Sequence, residues 1–434
     1  MDDLLVRGGL VVDGTGAAAR AADVRVRAGR IAEIGPGLRP DGGRVLDAAG
    51  AYVTPGFIDI HTHFDPTVFW DPLCDPMPQH GVTTVLVGNC SLSLAPVRPG
   101  HRKDLQELLC YIEDLPSEVL DVSIPWGWES YGEYLSAAEK LGGFAVNMAG
   151  MVGHNMLRTY VMGEAAWDRP ATEQERARIA ALLDESLAAG AAAMSTSLGF
   201  DEDRDKRPVP SRQADDAELA ALLDVLARHN KFVQFIPAAT GRQMRRDVQR
   251  MADLTGPRGV VSTWIGVFHD QDHPDWARGM LDFAGVGVAN SDACGVAETL
   301  THPAAVMANS DAGAHLQMMC AIGDTTLMLT RHVRERGDLS IEQAVHLMTG
   351  QLAELFGFPG RGQLTRGAAA DLAVFGLDEL DWAADVFVAD LPEGARRLRR
   401  PPGGYRYTVV AGDVVQQDGE LTGARPGTVL RPGR

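Results

Sequence analysis

From Gly56 onward the chain repeats one rhythm: a short apolar run, a loop, then an amphipathic helical pattern. Eight candidate strands can be read, Phe57 to Ile60, Thr83 to Val87, Phe144 to Met148, Ala191 to Ser195, Phe232 to Ile236, Val260 to Ile265, Val286 to Ala289 and Ala305 to Ala308. Between them, Leu105, Leu108, Leu109 and Ile112 keep the i, i+3, i+4, i+7 spacing of one helix face, as do Leu219, Leu222, Leu223 and Leu226. Thr172 with Glu175 makes a capping box ahead of a helix carrying Ile179, Leu182, Leu183 and Leu187, and Ser340 with Gln343 opens another through Leu347 and Leu355. Eight βα units over about 300 residues predict an α/β fold of the TIM (β/α)8 barrel kind. The pattern is softest where the strands at Val286 and Ala305 crowd together.

The stretches on either side lack helical spacing. Residues 1 to 54 alternate short β-rich runs with glycine turns, at Leu4 to Val6, Leu10 to Val12, Val24 to Val26, Ile31 to Ile34, Val45 to Leu46 and Tyr52 to Val53. That spacing predicts a small β-sandwich, too small to bury much without a partner. Beyond residue 356 the helical pattern stops at Gly357, Pro359, Gly360 and Gly362. Ala370 to Phe375 follows, then Arg406 to Ala411 and Val414 to Gln416 around Gly412-Asp413, a hairpin signal.

Composition narrows the function classes. With 58 acidic against 40 basic residues the formal net charge is −18, which lacks the basic footprint of a nucleic-acid binder. The five cysteines, Cys74, Cys90, Cys110, Cys294 and Cys320, are odd in number and widely spaced, so no disulfide framework is expected and a reducing compartment fits. The first residues carry no basic then apolar leader pattern, and no apolar run approaches the roughly 18 residues of a membrane span. The expectation is a soluble cytoplasmic protein acting on a small molecule, with no membrane or nucleic-acid partner and nothing that indicates an oligomer.

The chemistry concentrates at strand ends. In Val53-Thr-Pro-Gly-Phe-Ile-Asp-Ile-His-Thr-His-Phe-Asp65 an apolar strand ends in His61 and His63, flanked by Asp59 and Asp65. Residues i and i+2 of a strand share a side, so both imidazoles face one way. Two neutral imidazoles so placed are half of a Zn²⁺ site, with bonds of about 2.0–2.1 Å. A His-x-His also arises by chance, and the flanking context is what favours metal. Active sites of barrels sit at the C-terminal strand ends. The other polar residues expected there are Asn89 and Cys90, then His154, the Ser195 to Ser197 run, Gln234, His269, Asp292 and Asp311. Cys90, within Gly88-Asn-Cys-Ser91, is a candidate thiolate ligand, although a buried cysteine can equally be plain packing.

The run from Pro55 to His63 resembles the start of the amidohydrolase superfamily, whose first barrel strand ends in such a His-x-His. The segment His80-Gly-Val-Thr-Thr-Val-Leu-Val-Gly-Asn-Cys-Ser-Leu-Ser-Leu-Ala-Pro96 is similar to the second-strand signature of the D-aminoacylase group, the N-acyl-D-amino-acid deacylases, which use such a cysteine as metal ligand. Asn309-Ser-Asp-Ala-Gly-Ala-His315 resembles the segment after strand 8, which implies that Asp311 binds metal weakly and shuttles the proton; Asp292, in a similar Asn-Ser-Asp-Ala context, is the rival. His154, in Met151-Val-Gly-His-Asn-Met-Leu-Arg158, also sits in a family-like segment and is read as a substrate contact, with Arg158 a candidate partner of a substrate carboxylate. The run Gly360 to Phe375 is similar to the return of these chains into a sandwich begun by the N-terminus. The resemblance therefore implies β-sandwich at 1–55 and 359–434 and a barrel at 56–358.

Two departures matter. The four lysines, at 103, 140, 206 and 231, leave none to end strand 4, where dihydroorotase-like and hydantoinase-like enzymes carry a metal-bridging carboxylated lysine. The D-aminoacylase group ends strand 5 with a histidine, where this chain has Phe232-Val-Gln-Phe-Ile-Pro237; His269 is left to supply one later ligand, with His273 and a surface role for both as the alternatives. The implied activity is deacylation of an N-acyl-D-amino acid. Zn²⁺ on His61, His63, Cys90 and His269 would activate water, a second metal would be optional, and Asp311 would carry the proton. Two other readings stay open. One is a different C–N hydrolase, such as a deaminase or a hydantoin-type ring opener. The other is a degenerate barrel that binds a small molecule or stabilises an assembly without turnover.

Overall fold

Where the early sequence alternates, it forms strands. The computed structural model describes residues 3–199, 201–238, 241–268, 285–290, 300–302, 305–307 and 310–432. β1 (Leu4–Val11), β2 (Arg20–Arg27), β3 (Arg30–Gly35), β4 (Arg44–Asp47) and β5 (Tyr52–Pro55) contribute Leu4, Val24, Ile31, Leu46 and Val53 to one core cluster. The two runs expected at Leu4 and Leu10 are a single strand. Its register with β2 shifts between Val6 and Gly9, beside Gly8 at φ +79°, a left-handed value that glycine adopts without strain.

The chain divides into two compact units, one of Met1–Leu86, Glu139–Met148 and Asn309–Leu430, the other of Val87–Ala138, Ala149–Ala308 and Arg431–Arg434. In the first, β6 (Phe57–Asp59) pairs parallel with β7 (Val82–Val87), Phe57 opposite Val82 and Asp59 opposite Val85; β8 (Asn147–Gly150) completes this three-stranded sheet. All six residues of β7 are buried, as expected of a parallel strand covered on both faces.

The second unit is built on five parallel strands in chain order: β9 (Val152–Gly153), β10 (Met194–Ser197), β11 (Val233–Ile236), β12 (Ser262–Phe268) and β13 (Gly285–Asn290). The helices Glu173–Ala189, Asp216–Arg228 and Gly241–Thr255 make the crossovers between them. The Thr172 capping box is present, its Oγ1 accepting from the Glu175 N–H at 3.3 Å while the Glu175 carboxylate accepts from the Thr172 N–H at 2.8 Å. Ser340 and Gln343 form the same device.

Three expectations need correcting. The strand expected at Phe144 to Met148 begins at Asn147, because Phe144 is engaged in an antiparallel bridge with Gly427. The strand expected at Ala305 to Ala308 is not formed over its described residues, where Ala305 alone is in a bridge. Alongside His61–His63, pairing is made by Ala312, parallel to Thr62. The helix expected to run from Ser340 through Leu355 is broken into Ile341–Met348 and Gly350–Phe356, with Thr349 at φ −138°, ψ −81°. The break seats Gly350 on the chain near Gly14, whose carbonyl oxygen would lie 2.1 Å from any Cβ at position 350.

The later strands return to the first unit. β14 (Leu372–Phe375) pairs antiparallel with β5, and β15 (Val386–Val388) and β16 (Arg397–Arg399) make a separate ribbon. β17 (Tyr407–Val410), β18 (Asp413–Gln417) and β19 (Glu420–Leu421) extend a nine-stranded sheet in the order β19-β18-β17-β14-β5-β1-β2-β3, with β4 beside β1. The β17–β18 turn holds Ala411 and Gly412 at φ +44° and +85°, the paired positive values of a tight hairpin. Among the described residues no helix is long and apolar enough to cross a membrane.

Candidate metal centre

His61 and His63 follow the end of β6, and their side chains converge. The ring centroids of His61 and His63 are 5.3 Å apart, and their Nε2 atoms are separated by 3.4 Å. Asp59 fixes the start of this turn: its carboxylate accepts from the His61 N–H at 3.1 Å and from the Ser310 hydroxyl. Ser310 Oγ in turn accepts from the Ala312 N–H at 3.1 Å, so one buried carboxylate ties the histidine segment to the segment bearing Asp311.

Asp311 is brought across by strand-like pairing. Its N–H donates to the His61 carbonyl at 3.0 Å, and the His63 N–H donates to the Ala312 carbonyl at 2.6 Å. Gly313, at φ +91°, has no room for a side chain: a Cβ there would stand 2.8 Å from the His63 carbonyl carbon. Asp311 itself has φ +62°, a value uncommon outside glycine and concentrated at functional sites.

The result is a triangle of donor atoms. Asp311 Oδ1 lies 3.3 Å from His61 Nε2 and 3.1 Å from His63 Nε2, and the third edge is the 3.4 Å between the two imidazoles. Ligands at about 2.0–2.1 Å from a tetrahedral Zn²⁺ stand about 3.3–3.4 Å from each other. These three donors therefore fit one face of such a site. His315 Nε2 lies 3.6 Å from the other carboxylate oxygen of Asp311.

The electrostatics suit ligation. Burial lowers the His63 pKa, against the opposing pull of Asp311, and so favours the neutral imidazole that binds metal. Burial would raise Asp311, but hydrogen bonds and charge from His61 and His63 outweigh it and hold the carboxyl well below its usual range. Burial lifts Asp59 to about 6 against its hydrogen bonds from Ser310 and His61, and lifts Asp324 to about 8 with the charges of Asp59 and Asp311 adding to the effect.

The second unit holds the other expected residues. Cys90 follows β7, half-buried, at φ +52°. His154 and Arg158 are wholly buried on the helix His154–Met162. His154 Nδ1 faces Thr196 Oγ1 at 2.9 Å and its Nε2 faces Glu218 Oε1 at 2.9 Å, while the Arg158 guanidinium donates to the other Glu218 oxygen and to the Arg169 carbonyl. A substrate carboxylate would have to displace Glu218 to reach Arg158. Gln234 is buried on β11. His269 and Asp292 lie outside the described residues.

Glu218 and Ser310 were missed by sequence reading. A signal existed for the first: Glu218 lies on the face that also carries Leu219 and Leu222, where a charge needs a buried partner. Ser310 offers none, because its partner Asp59 is 251 residues away.

The chain matches the amidohydrolase family over residues 44–282 and 246–416. It is 29% identical to an N-acyl-D-aspartate deacylase from Alcaligenes xylosoxydans xylosoxydans, across 99% of this chain and 95% of that protein. That alignment runs over 510 positions against 434 residues here, so it carries gaps opposite extra residues of the relative. It shares its fold with a D-aminoacylase studied for its binuclear metal centre, with a TM-score of 0.80 at 25% identity over 99% of this chain and all of that one. An N-acyl-D-glutamate deacylase from Bordetella bronchiseptica, solved with zinc and a phosphonate inhibitor, superposes with a TM-score of 0.79 at 26% identity, with 99% of each chain covered. The protein thus belongs to the amidohydrolase family and is a hydrolase of carbon–nitrogen bonds.

Proposed function

We propose that the protein is a zinc-dependent deacylase that hydrolyses the linear amide of an N-acyl-D-amino acid. The observation that carries this reading is the donor triangle of His61, His63 and Asp311, with edges of 3.1–3.4 Å. The three deacylating or D-aminoacylase relatives support the substrate class. In this proposal His61, His63 and Cys90 would hold one Zn²⁺, with His269 the candidate for a further ligand, Asp311 the weak ligand and a second metal optional. The eight-stranded barrel at 56–358 and a sandwich drawn from 1–55 and 359–434 belong to the same proposal. The parallel sheets and the sheet joining β1–β5 to β14 and β17–β19 support it.

A zinc ion held there would supply Lewis acidity, lowering the pKa of a water towards about 7 and polarising an amide carbonyl. The residues do the rest. Asp311, a carboxylate at neutral pH, accepts the proton of the attacking water and delivers it to the amide nitrogen as the C–N bond breaks. The products are a carboxylate and a free amino acid. Ser310 and Asp59 hold Asp311 against the histidines throughout.

The test is metal content by elemental analysis of wild type and Cys90→Ala, with a panel of N-acetyl-D- and L-amino acids, a hydantoin and adenine. The expected result is about one zinc per chain, reduced in the variant, and release of acetate from D substrates. A wild type that takes up no zinc, or that opens hydantoin or releases ammonia while leaving acyl amino acids intact, would overturn the proposal.

A further inference from the structure

Cys90 sits in a backbone turn that the sequence gives no reason to expect. Gly88, Cys90 and Ser91 have φ of +82°, +52° and +65°, so two side-chain-bearing residues in succession occupy left-handed backbone. Such conformations persist only where the surroundings over-determine them. Here the turn is pressed against neighbouring strand ends: a Cβ on Gly88 would meet the Met151 carbonyl oxygen at 2.2 Å, and a Cβ on Gly153 would meet the Ser91 carbonyl oxygen at 2.4 Å.

One side chain spans the turn. Ser195, on β10 and 1% exposed, donates its hydroxyl to the Gly88 carbonyl at 2.5 Å and accepts from the Ser91 N–H at 3.1 Å. It therefore fastens the residue two before Cys90 and the residue just after it with a single oxygen atom. The far side is held separately, the Ser91 hydroxyl accepting from the Asn155 N–H at 2.9 Å and the Ser93 hydroxyl from the Gly153 N–H at 3.0 Å. A hydroxyl of β10 is thus spent on the backbone beside the candidate ligand.

We infer that Ser195 is the positioning residue for the Cys90 thiolate: it sets the turn in which the sulfur meets the metal. This rests on the proposed ligand role of Cys90. Partners that orient a ligand typically change metal affinity 10- to 100-fold when removed, a range that applies to Ser195→Ala.

The experiment uses the full chain. Zinc affinity is measured by chelator competition for wild type, Ser195→Ala and Cys90→Ala, and each is loaded with Co²⁺ to read the sulfur-to-cobalt charge-transfer band per bound ion. The inference expects Ser195→Ala to fold cooperatively, to bind zinc at least about 10-fold more weakly and to show a diminished or shifted band. Wild-type affinity in Ser195→Ala would overturn it. So would weaker binding with an unchanged band, because the loss would then not run through the thiolate. If Ser195→Ala does not fold, Ser195→Cys, a side chain of similar length with a much weaker donor, is judged by the same two readings. A wild type without the band, or Cys90→Ala binding zinc as tightly as wild type, removes the ligand role itself and so fails the proposed function rather than Ser195.

Discussion

At the scale of residues, the most exacting arrangement is the ion network of His154, Arg158 and Glu218, all at most 1% exposed. Breaking a buried pair leaves a charge without its partner and costs about 3–5 kcal/mol, so Glu218→Gln is expected to lose that much stability in urea at pH 7. Burial alone would raise Glu218, but hydrogen bonds and charge from His154 and Arg158 draw it down to about 2. Its contribution is therefore complete above the unfolded value near 4.3 and lost as pH falls towards about 2. Burial also lowers His154, against Glu218, so the unfolded chain takes up a proton below about 6.5 that the folded chain resists. Both signs agree: the urea midpoint of the wild type should fall on acidification from pH 7, and Glu218→Gln should flatten the part below about pH 4. A midpoint that rises between pH 7 and 5 would contradict this. At the candidate metal centre, Asp59→Ala removes the acceptor for Ser310 and for the His61 N–H, and the proposed zinc site predicts a 10- to 100-fold weaker affinity by chelator competition. What was legible here followed bonding rules local in sequence. His61 and His63 come together two residues apart in sequence, whereas Glu218 meets His154 across 64 residues and Ser310 meets Asp59 across 251.

At the scale of elements, the segment from Ser310 to Gly313 is held against the histidine segment through the single parallel bridge of Ala312 with Thr62, which nothing in its own pattern announces. Its backbone is paired to His61 and His63, and Gly313 makes the close approach. Gly313→Ala puts a Cβ 2.8 Å from the His63 carbonyl at a backbone angle that disfavours it, so the segment must shift and carry Asp311 with it. On the proposed role of Asp311, the expected outcome is at least a 10-fold fall in kcat/KM together with weaker zinc binding, because small displacements of a reacting group are amplified in rate. Unchanged kinetics would show that the segment tolerates the shift. The helix caps are simpler: Thr172→Ala should lower stability by about 1 kcal/mol with no effect on turnover, read from thermal melts and initial rates. The caps were readable because the pattern that names them is also the structure that forms. Strand limits were not. Ala191 to Ala193 are buried like a strand, yet β10 is assigned only from Met194, and Phe144 joins Gly427 near the chain's end. Burial shows in the sequence; the partner that receives the hydrogen bonds does not. The break at Thr349 has the same cause, since nothing near it in sequence announces the approach of Gly14.

At the scale of the whole molecule, the alternation of strand and helix made the parallel, chain-ordered sheet of β9 to β13 legible, because each crossover helix fixes both the direction and the neighbourhood of the next strand. The joining of the first and last strands in one sheet could not be read from alternation; it came from family resemblance, because β5 and β14 meet across more than 300 residues. Metal binding should register on this scale as well. If the unfolded chain holds zinc poorly, free zinc at 100 times its dissociation constant stabilises the native state by about 2.7 kcal/mol. At about 2.1 cal/mol/K per residue, a chain of 434 residues unfolds with an entropy near 0.9 kcal/mol/K, so the melting temperature should rise by about 3 °C. The shift is modest because the chain is large, and its dependence on the ligands is more telling than its size. Each tenfold loss of affinity removes about 1.4 kcal/mol, or roughly 1.5 °C, at fixed zinc. Cys90→Ala and Asp59→Ala should therefore lose part or all of the shift while their metal-free melts move independently of it. Calorimetry of each protein, chelated and then reloaded, separates the two effects. A wild type whose transition is indifferent to zinc would show that the His61, His63 and Asp311 triangle forms without metal and gains nothing by holding one.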